Sequence, residues 1–307
     1  MLRQRKDCRL LVRLVDRWLS RNAYPEPGAL EAVAHLKPIV VVTGGSRGIG
    51  LELGRRFAKA GRDVALIARD AATLELQAAA IERDFKVHCA AIALDITEAD
   101  AAERIDASLT ARGYFTDVLI NCAGIGLAGP FVSHTEAQID DLLRVNVQAL
   151  TNLTRHALPQ MLARGRGGIM NVASVGGLVP GPNQAAYYAS KAYVVSLTRA
   201  LATENPGRGV RIMALAPGPV DTGFHQAMGA ELSFYRQLLV ALSARQTARA
   251  GYRAYLAGCH LFVPGITGKF LQVALWIIPH AVLLPIIGWL LQRRDERPWR
   301  DTSDKEA

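Results

Sequence analysis

Short runs rich in β-branched residues alternate with longer helical stretches from Pro38 onward, and this alternation constrains the fold more than any other feature. Strands that alternate with helices at this spacing form a parallel sheet with helices on both faces. We therefore predict an α/β fold, a single doubly wound domain with a parallel seven-stranded sheet, whose ligands bind beyond the carboxyl ends of the strands. Two capping boxes, Thr135 with Gln138 and Ser243 with Gln246, predict the starts of two helices. The predicted strands are 39–42, 64–67, 87–94, 118–121, 169–172, 210–216 and 261–263.

A glycine-rich turn follows the first predicted strand and leads directly into a helix. It reads Thr43-Gly44-Gly45-Ser46-Arg47-Gly48-Ile49-Gly50. Such glycines permit a tight turn and a close approach of backbone to phosphate, and the helix N-terminus supplies free N–H groups for an anion. The spacing differs from the commoner Gly-x-Gly-x-x-Gly, and no Walker lysine follows. A plain loop is the alternative, but the position between strand and helix favours a bound dinucleotide.

The end of the second predicted strand indicates which dinucleotide this is. An acidic residue at this position binds the ribose of NAD, whereas an arginine accommodates the extra phosphate of NADP. The chain reads Ala68-Arg69-Asp70 there, and Arg47 in the glycine turn adds a second cation. Two guanidinium groups suit a phosphate, and Asp70 is expected to cap the next helix. The sequence therefore favours NADP(H) over NAD(H).

Three polar residues, Ser174, Tyr187 and Lys191, follow the fifth predicted strand. Tyr187 and Lys191 are four apart on a predicted helix over 184–204, so they share one face. A nearby ammonium favours the phenolate and lowers a tyrosine pKa, and such a tyrosine can exchange a proton in catalysis. Ser174 lies in a Gly/Pro-rich loop, where its hydroxyl could bind a carbonyl or alcohol oxygen. The alternative is an ordinary amphipathic helix with a surface lysine.

Taken together, these motifs resemble the short-chain dehydrogenase/reductase family of the classical type. The resemblance covers about residues 38–224 and includes the thirteen-residue step from Ser174 to Tyr187. It implies a Rossmann-like domain, and it selects Tyr187 over Tyr188, which is out of register with Lys191. The positions that carry it are Thr43, Gly44, Gly48, Ile49, Gly50, Asp95, Asn121, Ala123, Gly124, Asn146, Ser174, Tyr187, Lys191, Pro217 and Gly218.

The resemblance implies catalytic roles for four residues. Tyr187 would be the general acid in reduction and the base in oxidation, and Ser174 would hydrogen-bond the substrate oxygen. Lys191 would lower the tyrosine pKa and hold the nicotinamide ribose. Asn146 would position a water that links the lysine to solvent.

The resemblance also implies a set of cofactor contacts. Asp95 would contact the adenine, and Asn121 with Gly124 would shape the floor of the cleft. Thr222 and the Pro217-Gly218 turn would lie near the nicotinamide. Cys122 stands where many relatives have a second asparagine, which affects local hydrogen bonding. The expected cofactor-binding residues are Thr43, Gly44, Ser46, Arg47, Gly48, Ile49, Gly50, Arg69, Asp95, Asn121, Ala123, Gly124, Tyr187, Lys191, Pro217, Gly218 and Thr222.

Composition argues against several other kinds of site. The four cysteines have neither zinc nor redox spacing, which favours reduced thiols in a cytoplasmic setting. The seven histidines form no metal-ligand pattern, so no metal is expected. The net charge is +9, and more than half of it lies in residues 1–21. No basic strand with interleaved aromatics and no helix-turn-helix pattern accompanies it, so no nucleic-acid partner is expected.

Both ends of the chain carry apolar patterns outside the predicted domain. Residues 1–37 are expected to form a basic amphipathic arm and linker, which either packs on protein or lies in a membrane interface. Within the predicted catalytic domain, 38–265, the region 224–258 is expected to cover the substrate or to be ordinary core. Residues 266–307 hold an apolar segment over 270–291 and a charged tail. That segment is an interfacial hairpin, a subunit interface or a membrane anchor, and its prolines disfavour a simple spanning helix.

The sequence thus predicts an NADP-dependent oxidoreductase that interconverts a ketone or aldehyde and an alcohol, on an apolar or lipid-like substrate. Cellular NADPH favours the direction of reduction. The alternative is an NADP-binding sensor or membrane-docked scaffold without turnover, although a pure binder needs neither a proton donor nor its activating lysine. The resemblance implies a homo-oligomer, and peripheral membrane contact stays open.

Overall fold

Seven parallel strands form the central sheet of the protein, which we describe from a computed structural model. The described residues are 25–230, 233–235, 241–265 and 278–292. The expected arm up to residue 24, residues 270–277 of the apolar segment and the charged tail from residue 293 lie outside them. The strands are β1 (Lys37–Thr43), β2 (Asp63–Ala68), β3 (Cys89–Ala93), β4 (Tyr114–Asn121), β5 (Gly167–Val172), β6 (Val210–Leu215), β7 (Val220–Asp221), β8 (Leu242–Ser243) and β9 (Leu261–Phe262). The order in the sheet is β3-β2-β1-β4-β5-β6-β9, while β7 and β8 pair separately.

Helices connect the strands, and some of them begin at caps that the sequence predicted. Asp70 caps the second helix by accepting a hydrogen bond from the Thr73 amide at 3.1 Å, which confirms its expected capping role. Both predicted capping boxes are formed. The helices are α1 (Gly48–Ala58), α2 (Ala71–Phe85), α3 (Ala101–Thr110), α4 (Glu136–Leu143), α5 (Leu150–Ala163), α6 (Ala185–Glu204), α7 (Phe224–Ala227), α8 (Ala244–Leu256) and α9 (His280–Leu291). A π-helical segment, Arg144–Ala149, joins α4 to α5.

The core lies on both faces of the sheet, as a doubly wound fold requires. Along β1, Ile39 and Val41 belong to one buried cluster, whereas Val40 and Val42 belong to the other. Successive side chains of a strand point to opposite faces, so this alternation shows helices packed on each side. The predicted α/β fold with a seven-stranded parallel sheet is confirmed.

The strand order reverses between β1 and β4, and this reversal positions the site. The chain leaves β1 towards β2 and β3, then returns to place β4 on the other side of β1. Loops at such a switch point diverge to opposite faces and leave a crevice at the carboxyl ends of the strands. The loops after β1 and β4 touch there, because a Cβ added to Gly44 would lie 2.9 Å from the Ala123 Cα.

The C-terminal part differs in its boundaries from the expected division. Helix α8 lies inside the expected covering region 224–258, but it packs in the core against α1, where the rings of Tyr252 and Phe57 meet edge to face at 4.9 Å. Helix α9, from the apolar segment, packs instead over the carboxyl end of the sheet, with Leu283, Ile287 and Leu291 buried. None of the helices in the described ranges is both long and apolar enough to cross a membrane.

Candidate active site

One cleft of about 1260 Å³ opens at the carboxyl ends of the strands. Its walls come from the glycine turn, the ends of β2 and β3, the loop after β4, the start of α6 and helix α9. Most of the residues expected to bind a cofactor or substrate therefore meet in one place. Thr43, Asn121 and Asn146 are the predicted site residues that do not line it.

The glycine turn forms a cradle that other residues would fill. Gly44 and Gly48 adopt φ of +65° and +60°, where side chains are strained. A Cβ added to Gly50 would lie 2.4 Å from the Gly44 carbonyl oxygen. The residue before α1, Arg47, makes no side-chain cap, so the first N–H groups of the helix stay available. The turn therefore fits a pyrophosphate at a helix N-terminus.

Two arginines flank the end of the cleft where the adenosine is expected. Arg47 and Arg69 are exposed, line the cleft and make no hydrogen bond or ion pair with any described side chain. Asp70 beside them accepts from the Thr73 hydroxyl and amide, and these bonds hold its pKa below its usual value. An aspartate that accepts these hydrogen bonds is less available to a ribose. The two arginines are therefore the main groups that an adenosine phosphate could contact at this end of the cleft.

Asp95 lies at the same end of the cleft, after β3. It accepts hydrogen bonds from the Thr97 amide at 2.9 Å and hydroxyl at 2.8 Å. These bonds, with the nearby charges of Arg69 and Arg144, keep its pKa below the usual value. Asp95 is therefore a fixed carboxylate beside the expected adenine position.

Two of the expected floor residues act from behind the cleft wall. The Thr43 hydroxyl accepts from the amides of Cys122 and Ala123 at 3.1 and 3.2 Å, and so ties the loop after β4 to β1. Asn121 donates to Thr154 Oγ1 at 3.1 Å and to Asn171 Oδ1 at 2.9 Å. The Asn121 side chain therefore braces β4 from within the core, while Ala123 and Gly124 form the surface of the floor.

The loop after β6 bounds the end of the cleft where the nicotinamide is expected. Pro217, Gly218 and Thr222 line the cleft as expected, and a Cβ added to Gly218 would meet nothing within 4 Å. Thr222 reaches back to the glycine turn, because a Cβ on Gly48 would lie 3.4 Å from its Cγ2. Ser46 and Ile49 of the glycine turn also line the cleft. The cleft thus runs without interruption from the arginines to this loop.

Tyr187 and Ser174 stand together at the inner end of the cleft. Tyr187 is 8% exposed, and burial raises the pKa of its hydroxyl above the usual value, although an interaction with Ser174 lowers it. Ser174 Oγ accepts from the Gly176 amide at 3.0 Å, which fixes the serine rotamer. Tyr187 is therefore a neutral phenol at neutral pH, with a proton to give.

Lys191 lies one turn along α6 and is also buried. Its ammonium donates to the Val172 carbonyl oxygen at 3.1 Å, and Nζ is 5.9 Å from the centre of the Tyr187 ring. Burial lowers the pKa of Lys191 to about 8. Burial is the largest influence on the pKa of Tyr187 and raises it, so the lowering of that pKa by Lys191 stays a prediction.

Asn146 sits in the π-helical segment, behind Lys191. Its Oδ1 accepts from the Ile125 amide at 2.9 Å, and its Nδ2 donates to the Ile125 carbonyl at 2.8 Å and to Ser190 Oγ at 3.0 Å. A Cβ on Gly124 would lie 3.2 Å from Asn146 Oδ1 and 3.3 Å from Lys191 Nζ. π-helical turns often mark functional sites, and this one sets the asparagine beside the lysine.

The substrate side of the cleft is an apolar cluster to which α9 contributes. Tyr187 packs there with Val179, Met228 and Tyr235, and the Phe224 ring lies 5.7 Å from the Tyr187 ring. Ile287, Leu290 and Leu291 of α9 line the same cleft. Sequence reasoning did not assign these three residues of α9 to the site. The i, i+4, i+8 spacing of Leu283, Ile287 and Leu291 is the signal of a buried helix face.

Gln184 is a further lining residue that sequence reasoning missed as a site residue. It directly precedes α6, is 3% exposed and contributes to the cleft wall. Among the residues that the structure describes, no three His, Cys, Asp or Glu side chains come together as a metal site.

Comparisons with known proteins agree with this site. A family model described as short chain dehydrogenase matches residues 38–233. A short chain dehydrogenase of Pseudocercospora fijiensis is 40% identical over 185 residues, and the match spans 59% of this chain and only 59% of that relative. A 3-oxoacyl-(acyl-carrier-protein) reductase of Staphylococcus aureus is 33% identical over 222 residues, covering 71% of this chain and 89% of the relative. Among solved structures, a short-chain dehydrogenase from Sphingobium yanoikuyae in complex with NADPH superposes with a TM-score of 0.69 at 27% identity, covering 80% and 98% of the two chains.

Proposed function

The chain belongs to the short-chain dehydrogenase/reductase family of NAD(P)-dependent oxidoreductases, and from this premise we propose that it reduces the carbonyl of an apolar, lipid-like compound to an alcohol with NADPH. The observation that carries the proposal is the Ser174–Tyr187 pair, which stands where an apolar pocket meets the dinucleotide cleft. The catalytic domain of this proposal is 38–265, completed by α9.

Charge at the adenosine end supports NADPH over NADH. Arg47 and Arg69 offer two guanidinium groups without described partners, and Asp70 is held by Thr73. A phosphate forms charge-assisted bonds with such groups. The glycine turn would hold the pyrophosphate, and Asp95, Gly124 and the loop after β6 would frame the rest.

The cofactor and the protein would supply different parts of the reaction. The nicotinamide supplies the hydride when bound. Ser174 Oγ would donate a hydrogen bond to the carbonyl oxygen, where negative charge develops. Tyr187 would deliver its phenolic proton to that oxygen as the alcohol forms, which suits the neutral phenol that its raised pKa implies.

Lys191 and Asn146 support these steps without touching the carbonyl. The Lys191 ammonium would bind the nicotinamide ribose and favour the phenolate that Tyr187 becomes after proton transfer. Asn146, beside Lys191 and bonded to Ser190, would hold a water through which the phenolate regains its proton.

The substrate class follows from the lining of the inner pocket. Val179, Met228, Ile287 and Leu290 present apolar surface beside Tyr187. Apolar walls bury an acyl or aliphatic chain with little polar cost. The Staphylococcus aureus relative is, by its name, a reductase of 3-oxoacyl groups, which supports an acyl-like substrate here.

A substrate panel tests the proposal. Purified protein should consume NADPH when given long-chain ketones or 3-oxoacyl compounds. Tyr187→Phe should lower kcat by about 10²- to 10⁴-fold, the usual contribution of a general acid, whereas Tyr188→Phe should keep most of the activity. If Tyr187→Phe turned over at the wild-type rate, Tyr187 would not be the proton donor. NADPH binding without reduction of any carbonyl would favour the sensor or scaffold alternative.

The outer face of α9 supports contact with a membrane surface. Val282, Ile286 and Trp289 are 56%, 49% and 52% exposed, although the opposite face is buried. A helix that is apolar all round is usually covered on all sides. Arginines follow it at positions 293 and 294, and basic residues beside an apolar face suit anionic lipid. A second copy of the chain is the other occupant, and the experiment below separates the two.

A further inference from the structure

Gln184 carries a buried amide that the reaction described above does not use. Its side chain is 3% exposed and lines the cleft, yet Nε2 has no hydrogen-bond partner among the described residues. Buried polar groups are nearly always hydrogen-bonded, because burying a donor without a partner destabilises the fold. A donor left unpaired beside a substrate pocket indicates a partner that arrives with the ligand.

The backbone fixes Gln184 in place. Its backbone N–H donates to the Gly181 carbonyl oxygen at 3.1 Å. Its backbone carbonyl oxygen accepts from the Tyr188 N–H at 3.0 Å, and this bond belongs to the first turn of α6. Gln184 directly precedes α6, three residues ahead of Tyr187, and both residues line the cleft. The unpaired side-chain amide therefore belongs to the same cleft wall as the proposed proton donor, without being part of the proton path.

The neighbouring residue, Asn183, differs from Gln184 because its side-chain amide is hydrogen-bonded. Asn183 Nδ2 donates to the Gly288 carbonyl of α9 at 3.3 Å, and its own carbonyl accepts from the Gly129 amide at 2.7 Å. The side-chain amide of Asn183 thus links this loop to α9. The Gln184 amide has no such structural use.

We propose that Gln184 is a specificity-determining residue whose Nε2 donates a hydrogen bond to a second oxygen of the substrate, a few bonds from the carbonyl that is reduced. The substrate is then a 3-oxo ester or thioester with an apolar chain: the ketone lies at Ser174 and Tyr187, the ester oxygen at Gln184, and the chain against α9. This inference rests on the proposed carbonyl reduction and narrows its substrate class.

The chemistry of the walls favours an acceptor on the substrate. Val179, Met228, Ile287 and Leu290 give the cleft wall near Tyr187 its apolar surface. The Tyr235 hydroxyl and His225 Nδ1 also lie in this wall, but they are hydrogen-bonded to each other at 2.8 Å. A simple ketone would occupy Ser174 and Tyr187 and leave the amide unpaired. A site built to hydrogen-bond a substrate group discriminates against the analogue that lacks it, because its own polar group is then left without a partner.

The test compares two substrates in three proteins. The substrates are an alkyl 3-oxo thioester and a simple ketone of the same chain length. The proteins are wild type, Gln184→Leu, and Gln226→Leu as a matched control, because Gln226 of α7 is exposed and outside the cleft lining. For Gln184→Leu we expect kcat/KM for the thioester to fall about tenfold or more, the value of one well-placed hydrogen bond. For the ketone the change should stay within about threefold, and Gln226→Leu should match wild type on both.

The other outcomes each overturn the inference. An equal fall on both substrates would place the Gln184 amide on the reacting carbonyl, and no fall on either would mean that water satisfies it. The melting temperature gives an independent readout, because Gln184→Leu removes an unpaired donor and should not lower Tm. A clear fall in Tm would assign a structural role instead. Wild-type turnover of the simple ketone tests the proposed carbonyl reduction by itself, so its failure is distinguishable from failure of the Gln184 argument.

Discussion

At the scale of single residues, the two ionisable groups of the site are poised by burial. The raised pKa of Tyr187 keeps its hydroxyl protonated at neutral pH. The lowered pKa of Lys191, about 8, means that its ammonium loses its proton just above neutral pH. A donor that holds its proton and a cation that is still charged coexist only below about pH 8. This combination suits the proposed direction of reduction.

The first prediction concerns the pH dependence of carbonyl reduction. Lys191 should be about nine-tenths charged at pH 7 and about one-tenth charged at pH 9, given a pKa of about 8. Loss of the ammonium makes the Tyr187 phenolate less favourable and weakens binding of the ribose. We therefore expect kcat/KM measured with NADPH to be level up to about pH 7.5 and to fall about tenfold per pH unit above pH 8.

Two controls separate this ionisation from other events. Burial raises the pKa of the Cys122 thiol to about 12, so Cys122→Ala should leave the alkaline limb in place. The folded pKa of Lys191 lies below its unfolded value of 10.5, so the unfolded chain binds more protons between about pH 8 and 10.5. The contribution of Lys191 to stability therefore rises with pH while activity falls. A profile that stayed flat to pH 10 would contradict the assignment.

The second prediction concerns the choice of dinucleotide. Arg69→Asp removes one guanidinium and places a carboxylate beside the expected phosphate. We expect KM for NADPH to rise by about tenfold or more, since charge-assisted hydrogen bonds contribute about 1.5–3 kcal/mol each, and KM for NADH to fall. Steady-state kinetics with both cofactors would measure this, with Arg83→Asp on the exposed surface of α2 as the control. An unchanged ratio would rule out Arg69 as a phosphate contact.

Residue spacing predicted that the proposed catalytic residues lie close together, because they are local in the chain. Tyr187 and Lys191 share one helix, and Ser174 lies in the loop before it, so short-range patterns suffice to predict their proximity. The direction of the Tyr187 pKa could not be predicted in this way, because it depends on how deeply distant segments bury the hydroxyl. The unpaired amide of Gln184 is likewise visible only once all its neighbours are known.

At the scale of elements, α9 is the part of the site most separated in sequence from the rest. It closes the apolar pocket through Ile287 and Leu291, and it is tied to the loop before α6 by the Asn183–Gly288 hydrogen bond. A Cβ on Gly288 would lie 3.4 Å from Pro182, so the glycine allows this close approach. The Phe234 ring stacks on Trp289 at 4.9 Å and adds a contact on the flank.

The third prediction tests whether docking of α9 governs use of apolar substrates. Leu283 is on the buried face of α9 but does not line the cleft. Leu283→Ala should therefore weaken the packing of the helix without altering the pocket wall. Truncating a buried leucine costs about 2–5 kcal/mol. We expect KM for long-chain substrates to rise about tenfold, and amide hydrogen exchange of α9 to accelerate. Exposed Val282→Ala should change neither quantity, and equal effects of the two substitutions would contradict a docked helix.

The packing of one face of α9 on the same chain was not foreseen, for a physical reason. Residues 270–291 are apolar throughout, and such a run gives no periodic signal to distinguish a buried face from an exposed one. Sequence reasoning offered contact with a membrane or a second subunit, and packing on the same chain was not among its alternatives. Helix α8 follows the core-packing alternative that the sequence left open for 224–258, because its apolar residues pack against α1.

At the scale of the whole molecule, the fold was predictable because alternation of strands and helices repeats along most of the chain. Each strand that the sequence indicated is present in the sheet, and the strand order follows the doubly wound pattern. The pattern fixes where ligands bind, at the reversal between β1 and β4. What covers that crevice depends on segments outside the repeat, and no comparable rule applies to them.

The fourth prediction concerns the exposed face of α9 and the assembly that covers it. Full-length protein should co-sediment with vesicles that contain anionic lipid, and Ile286→Asp should reduce the bound fraction about tenfold, because it places a charge in the apolar face. Leu76→Asp is the matched control, since Leu76 is 72% exposed on α2. If wild type ignored vesicles and Ile286→Asp converted an oligomer to a monomer in sedimentation velocity, a second copy would be the occupant.

The separation between the catalytic group and α9 also bears on how such a chain can diversify. Asn146, Ser174, Tyr187 and Lys191 all precede residue 192, whereas α9 begins at His280 and is held partly through a main-chain carbonyl. Side chains on its inner face can therefore vary while that attachment persists. Grafting residues 278–292 from one homologue onto another would then transfer the range of substrate chains that the enzyme accepts. The reaction that it catalyses would stay the same.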